Sequence, residues 1–513
     1  MSDLATFHTA LANETATGHL MADLALLLGA GDVITLSGDL GAGKTAAARA
    51  LIRYLAQDDE LEVPSPTFTL AQTYDLPSFP LLHADLYRIA DPDELEEIGL
   101  SPLPEGTVAL IEWPERAPQM LPADRIDIAL SHRPSLGTGA RAAEITGYGK
   151  LAAKIERLSA LRHFLELSGS LDAKRQRMPG DASTRSYARL TKNDQTAILM
   201  NSPRRPDGPT LYDGRSYSEA VHLAEDVRPF VAIANGLRER GYSAPVIHHA
   251  DLDEGFLITE DLGRETFITG DPPKPIAARY QAAVDMLAAF HQEPLPDVLP
   301  LAPHLDYTVP PFDNEAMMIE VGLMPEWYLP DKNVTLTSNM QADFLLIWGD
   351  LLSRLADAPK TWMLRDFHSP NLIWLEQRDD IKRVGLLDFQ DAVMGPPAYD
   401  LVSLLQDARL DVAAEIEADL LNYYISEAAK RDATFDSADF QYAYSALGAQ
   451  RNTKIIGIFA RLAMRDGKRQ YLAHLPRIWG YLARDLEHPD LARVRAWYDQ
   501  HLPPSVRARP LTI

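Results

Sequence analysis

The chain has 513 residues and not one cysteine. Disulfides and thiolate metal sites are therefore excluded. It also lacks a basic excess: 49 Lys and Arg stand against 73 Asp and Glu, a net charge of −24. A protein that grips nucleic acid by itself carries a basic patch or stripe; here any nucleic acid would have to be reached beside a partner. No run of 18 apolar residues occurs, so no membrane span is expected. The opening stretch MSDLATFHTALANETATG lacks the basic-then-apolar order of a secretory signal, and a cytoplasmic enzyme is expected. Internal repeats and long low-complexity segments are absent too. What is present is ordinary for a globular protein: 46% hydrophobic and 24% charged residues. The length exceeds what one core usually holds, so two or three domains are expected.

The first 150 residues alternate strand-like and helix-like stretches. GDVITLSG (31–38), FPLLHADLY (79–87), TVALIEW (107–113), RIDIALS (125–131) and ARAAEITGYG (140–149) read as strands, and KTAAARALIRYLAQ (44–57) as a helix. That alternation predicts an α/β layer fold over residues 1–152. LAAKIERLSALRHFLELSG (151–169) is amphipathic at helical spacing and straddles the boundary. Beyond it, 170–265 is rich in strand signals and 266–500 in helical ones. A small β-rich lobe before a large helical lobe predicts an α+β bilobal, protein-kinase-like domain over 153–513.

Residues 38–45, GDLGAGKT, fit the pattern G-x-x-x-x-G-K-[ST]. The backbone of Gly38, Asp39, Leu40, Gly41, Ala42 and Gly43 would cradle phosphate oxygens. Lys44 would neutralise charge on the β- and γ-phosphates of ATP, and Thr45 would bind Mg²⁺ through its hydroxyl. A strand precedes the motif and a helix follows it, the context such a loop requires. Asp85 and Glu112 each end an apolar run and are candidates for the Mg²⁺ shell; Glu112 is also a candidate to position a water. VPSPTFTL (63–70) sets hydroxyls between prolines and suits a γ-phosphate-sensing switch at Thr67.

A second, unrelated arrangement lies downstream. In RDFHSPN (365–371), Asp366 and Asn371 are separated by four residues, and LLDFQDA (386–392) places Asp388 after two leucines. In kinase chemistry the first aspartate accepts the substrate hydroxyl's proton, while the asparagine and second aspartate hold Mg²⁺. No G-x-G-x-x-G loop exists; GDASTRSY (180–187) takes that place, and is expected either to cover phosphates with its backbone and the Ser183 and Thr184 hydroxyls, Arg185 adding charge, or to be a structural hairpin. Met200 stands where a strand lysine is expected, and Leu364 where the histidine of an H-R-D loop would be. His368 is a candidate to orient the catalytic loop, Asp391 to order the metal loop, and Asp400 to cap a helix or brace that loop. In EVGLMPEWYL (320–329), Trp327 and Tyr328 are candidates to stack on a substrate ring and Glu326 to bind its hydroxyls, with core packing as the competing role.

The ordered set GDLGAGKT, SPTFTL, HADLYRI, ELEEIGL and LIEWPE resembles the TsaE family, a small ATPase of the machinery that makes threonylcarbamoyl-adenosine in tRNA. The resemblance covers residues 5–150. It implies that Asp85 is the Walker B carboxylate, that Glu112 lies near metal and γ-phosphate, and that other subunits supply the tRNA contacts. The segments GDASTRSYAR, FLITEDLG, MLRDFHSPNLIWL, LLDFQDAVMGPPAYDLVSLLQDAR and QRNTKIIGIFARL resemble aminoglycoside-phosphotransferase-like kinases. Within these they look most like the kinases of N-acetylmuramate and N-acetylglucosamine that act at the anomeric hydroxyl in cell-wall recycling. That branch also tends to lack the strand lysine. The resemblance implies an adenine hinge at Glu260, Asp261 and Leu262 through their backbone. The alternatives are another small alcohol as substrate (aminoglycoside, choline or a hydroxy amino acid), or a nucleotide-binding scaffold that regulates the front.

Overall fold

The computed structural model describes residues 3–89, 100, 103–178, 185–204, 210, 213–356 and 358–509. Ser183 and Thr184, and most of the ELEEIGL stretch, lie outside the described residues. The chain packs as two units, Met1–Pro203 with His248–Asp261, and Arg204–Ile247 with Leu262–Ile513. Among the described residues, no helix is long and apolar enough to cross a membrane.

In the first unit, strands β1 (Leu4–Leu11), β2 (Val33–Ser37), β3 (Ala71–Asp75), β4 (Pro80–Asp85), β5 (Val108–Glu112), β6 (Arg125–His132) and β7 (Arg141–Tyr148) form one sheet in the order β1-β7-β6-β2-β5-β4-β3. Strands β4, β5, β2 and β6 run parallel. β5 is buried along its whole length, as covered parallel strands are, and reads as a continuous apolar run ending in Glu112. Helices α1 (Glu14–Ala25) and α2 (Lys44–Ala56) cover the sheet, and Leu20, Leu24, Leu51 and Leu55 join Ile34, Leu36 and Leu110 in its core. β4 and β5 are in register with Asp85 opposite Glu112, so both carboxylates leave the sheet side by side at its C-terminal end.

Helix α3 (Ala152–Leu167) serves two cores. Ile155 and Leu158 pack into the first sheet's core, whereas Leu161, Phe164 and Leu165 pack onto a second sheet. That sheet contains β8 (Lys174–Arg177), β9 (Ser186–Lys192), β10 (Gln195–Asn201), β11 (Ile247–Asp251) and β12 (Phe256–Glu260), in the order β11-β12-β10-β9-β8. β9 and β10 form a hairpin closed by Asn193 and Asp194, both at positive φ, the geometry of a tight two-residue turn. Through α3, the five-stranded sheet packs in the same unit as the P-loop layer. The junction is polar as well as apolar: fully buried Asp23 on α1 accepts from Arg162 Nη1 at 2.7 Å and from Arg175 Nε at 2.9 Å, joining α1, α3 and β8.

The second unit is mainly helical. Its principal helices are α4 (Arg228–Glu239), α5 (Ala277–Phe290), α6 (Asn314–Leu323), α7 (Ser338–Ser353), α8 (Ala398–Leu405), α9 (Ala414–Arg431), α10 (Ser437–Asp466), α11 (Leu475–Asp485) and α12 (Ala492–His501). Two short ribbons flank the residues expected to form the kinase site: β13 (Thr361–Met363) pairs with β16 (Val393–Gly395), and β14 (Leu372–Trp374) with β15 (Val384–Leu386).

Candidate active sites

The first candidate site lies at the C-terminal ends of β2, β4 and β5. Gly38 has φ 132°, and a Cβ there would lie 2.2 Å from the Leu130 carbonyl oxygen, so no other residue fits without shifting the backbone. Gly43, at φ 106°, caps the start of α2. The sequence therefore bends into an open nest and then a helix N-terminus, where backbone N–H groups and the helix dipole favour an anion.

Lys44 is buried, and its Nζ donates to Gly38 O at 2.6 Å and Asp39 O at 3.0 Å. It also lies 3.5 Å from the centre of the Trp113 ring. Burial pulls its pKa down, and the carboxylates of Glu112, Glu115, Asp85 and Asp39 work against that. Thr45 Oγ1 donates to Glu112 Oε2 at 3.0 Å, and Glu112 Oε1 meets His83 Nε2 at 3.0 Å in a buried pair. Asp85 Oδ2 accepts from Ser65 at 2.8 Å and Thr67 at 3.0 Å, while its Oδ1 accepts from Tyr87 N at 3.0 Å. Thr45 and Glu112 are thus joined on one side, and the expected switch residue Thr67 to Asp85 on the other.

Three contributors escaped the sequence reading. His83 was hidden inside an apolar strand; its signal was a polar residue two positions before Asp85, hence on the same strand face. Ser65 was seen only as part of a loop. Arg141, on β7, donates through Nε to Ala42 O at 2.9 Å and through Nη2 to Gly41 O at 3.3 Å, bracing the loop from a residue about a hundred positions away.

The second candidate site belongs to the helical unit. Asp366 and Asn371 sit between β13 and β14, and Asp388 follows β15. Asn371 Nδ2 donates to Asp366 O at 3.0 Å and lies 3.5 Å from Asp388 Oδ2, so all three predicted residues converge. Asp388 is at φ 55°, and its Oδ1 accepts from Gln390 Nε2 at 2.9 Å. Burial opposes ionisation of Asp366, yet the charges of His368, Lys454, Arg451 and Arg365 together hold its carboxyl below the usual range.

The loop that aims Asp366 is braced from beneath. Fully buried Asp400, at the start of α8, accepts from Leu364 N at 2.8 Å and Arg365 N at 2.9 Å. It is therefore a brace of the loop, one of the two roles expected for it. Arg365 adopts φ 64°, is buried, and donates to Glu320 and to Val221 O. Glu320 also accepts from Lys454 at 2.9 Å and Gln450 at 2.8 Å. Arg365, Glu320 and Lys454 had no predicted role, because pairs this distant in sequence leave no local pattern.

His368 is buried, burial lowers its pKa, and its backbone N donates to Asp366 O at 3.0 Å, a loop-ordering position. Asp391 Oδ1 accepts from Ala224 N at 2.6 Å, so this carboxylate braces a neighbouring loop. Tyr328 requires a correction. It is 1% exposed, its hydroxyl accepts from Trp479 Nε1 at 3.2 Å, and its ring packs 5.7 Å from that of Trp479, so no face is open to a sugar. Trp327 is half-buried and Glu326 exposed beside it. Arg185 is half-buried at the edge of the described residues. In the first unit Glu260 ends β12, and the Asp261 carboxylate is taken by Arg189 at 2.6 and 3.1 Å. In the second unit Leu262 is buried beside Gly385.

A P-loop layer and a kinase-type aspartate–asparagine–aspartate set in one chain define an ATP-using enzyme built from two unrelated nucleotide-handling parts. Residues 11–140 match the family "Threonylcarbamoyl adenosine biosynthesis protein TsaE", and residues 174–436 match the "Phosphotransferase enzyme family". An N-acetylmuramate/N-acetylglucosamine kinase of Caulobacter vibrioides is 36% identical over 69% of this chain and 98% of its own length. The enzyme of the same name from Pseudomonas aeruginosa is 32% identical over 61% and 84%. A TsaE protein of Rickettsia bellii is 38% identical over 24% of this chain and 84% of its own. The chain belongs to the phosphotransferase enzyme family, with a member of the TsaE family fused ahead of the kinase.

Proposed function

We propose that the kinase part transfers the γ-phosphoryl group of ATP to the anomeric hydroxyl of N-acetylmuramate and N-acetylglucosamine. The observation that carries this reading is the 36% identity across 98% of the Caulobacter kinase. Asp366 is the group that takes the hydroxyl's proton; it is held ionised, and the Asp400 brace fixes its loop. Asn371 and Asp388 offer the hard oxygen donors that suit Mg²⁺, which would neutralise phosphate charge when bound. Positioning and charge neutralisation then supply the catalysis, since phosphoryl transfer asks little covalent chemistry of the protein.

The same reading makes the front part an ATPase that serves threonylcarbamoyl-adenosine modification of tRNA in the cytoplasm, working on the other subunits of that machinery. Thr45, Glu112 and Asp85 are likewise oxygen donors suited to Mg²⁺. The domain division at 152–153 is proposed as the boundary between the two families' segments. Incubation of purified protein with ATP and N-acetylmuramate, N-acetylglucosamine or kanamycin tests the kinase assignment. Sugar 1-phosphates are expected; phosphorylation of kanamycin alone would refute it.

A further inference from the structure

The stretch QRNTKIIGIFARL (450–462) lies in the long helix α10 and includes three buried or half-buried cations, Arg451, Lys454 and Arg461. Seven residues return an α-helix to nearly the same face, so Lys454 and Arg461 share one face about 10 Å apart along the axis. The first two cations are committed. Arg451 Nη1 donates to Gln406 O at 3.3 Å, and Lys454 Nζ to Glu320 at 2.9 Å and to the Tyr399 hydroxyl at 3.1 Å. The charges of both act on Asp366.

Arg461 is different. Its Nε is buried without a hydrogen-bond partner, and the Asp466 carboxylate that feels its charge is itself paired with Arg465. Its guanidinium stacks 4.9 Å from the centre of the Tyr217 ring. Tyr217 is tied to the catalytic end of the helix: burial pushes its hydroxyl up to about 12, and Glu320, Lys454, Arg461 and Arg365 all act on it. A cation with one buried, unmet donor therefore stands two helical turns beyond the network that surrounds Asp366.

A neutral amino sugar has no use for such a group. A sugar bearing a carboxylate does, because a guanidinium fork pairs with a carboxylate through two parallel hydrogen bonds. We propose that Arg461 binds the lactyl carboxylate of N-acetylmuramate while its anomeric hydroxyl faces Asp366, and so sets the preference for the acidic sugar over the neutral one. The proposal rests on the amino-sugar kinase reading above. Arg461 takes no part in the chemical step; it is a specificity residue. Stacking on Tyr217 pre-orients the fork, so less freedom is lost on binding.

Steady-state kinetics of the full-length protein test this, with Arg461→Gln and Arg461→Lys measured on both sugars. For Arg461→Gln, KM for N-acetylmuramate should rise on the order of 10- to 100-fold, the range for loss of charged hydrogen bonds. The constants for N-acetylglucosamine should stay within about twofold, which also shows that the variant is folded. Arg461→Lys should recover part of the lost affinity, since it keeps the charge without the fork. Equal losses on both sugars, or no change on either, would overturn the proposal and leave the amino-sugar reading intact. A wild-type protein that phosphorylates neither sugar would overturn that reading, and the proposal with it.

Discussion

Replacing Asp23 with Asn tests how firmly the P-loop layer is joined to the five-stranded sheet. The carboxylate is 0% exposed and makes three bonds, to Arg162 Nη1 at 2.7 Å, Arg175 Nε at 2.9 Å and Arg175 Nη2 at 3.2 Å. Asparagine keeps the shape and removes the charge, leaving two buried guanidinium groups unneutralised. Breaking a buried pair from one side costs about 3–5 kcal/mol. Arg175 retains the carbonyls of Leu171 and Ala173, which places the expected loss near the lower end, about 3 kcal/mol. For a unit of this size each kcal/mol lowers Tm by roughly 2–4 °C, so a fall of about 10 °C is expected. The assay is residual activity after heating, read separately for P-loop ATP hydrolysis and for sugar phosphorylation. Both should be lost together at the lower temperature, because α1, α3 and β8 meet at this one carboxylate. A Tm within about 1 °C of wild type, or loss of hydrolysis alone, would refute the shared-unit account.

Asp400→Ala should lower kcat for the sugar by at least about tenfold, since the buried N–H groups of Leu364 and Arg365 lose a charged acceptor. Stopped-time phosphorylation assays at saturating sugar measure it. The pH dependence follows from Asp366, whose folded pKa is depressed below the usual value near 4. A depressed carboxylate stays ionised above its unfolded pKa, so the stability and basicity it contributes are present there and are lost only as pH falls through the lower folded value. kcat/KM for the sugar, at saturating nucleotide, should therefore show no acid limb from this group between pH 8 and about 5. A limb that vanishes in Asp366→Glu but centres near neutrality in the wild type would contradict the assigned environment.

The front part was legible in the sequence because its signals are local. A glycine-rich turn between an apolar strand and a helix needs only a dozen residues, and the strands ending at Asp85 and Glu112 announced themselves as apolar runs. The kinase triad was legible for the same reason. β1 leaves no such local signal. It is an edge strand, exposed on alternate residues, and its existence depends on pairing with β7 more than 130 residues later. The Arg365–Glu320–Lys454 network was hidden by the same long separation. For Tyr328 the sequence leaves a sugar face and a core position open, because aromatic spacing in a helix looks alike for both; packing against Trp479 decides it for the core. The assignment of the five-stranded sheet to the first unit turns on α3, whose two ends bury apolar residues in different cores, and no linker composition marks that.

The central claim is that one chain works two separate ATP sites, one around Lys44 and one around Asp366. Assaying Lys44→Ala and Asp366→Asn for both activities tests it most directly. Lys44→Ala should abolish P-loop hydrolysis and spare sugar phosphorylation; Asp366→Asn should cut sugar phosphorylation by about 10²- to 10⁴-fold, the usual worth of a general base, and spare hydrolysis. Loss of both activities in either variant, at unchanged melting temperature, would contradict the account.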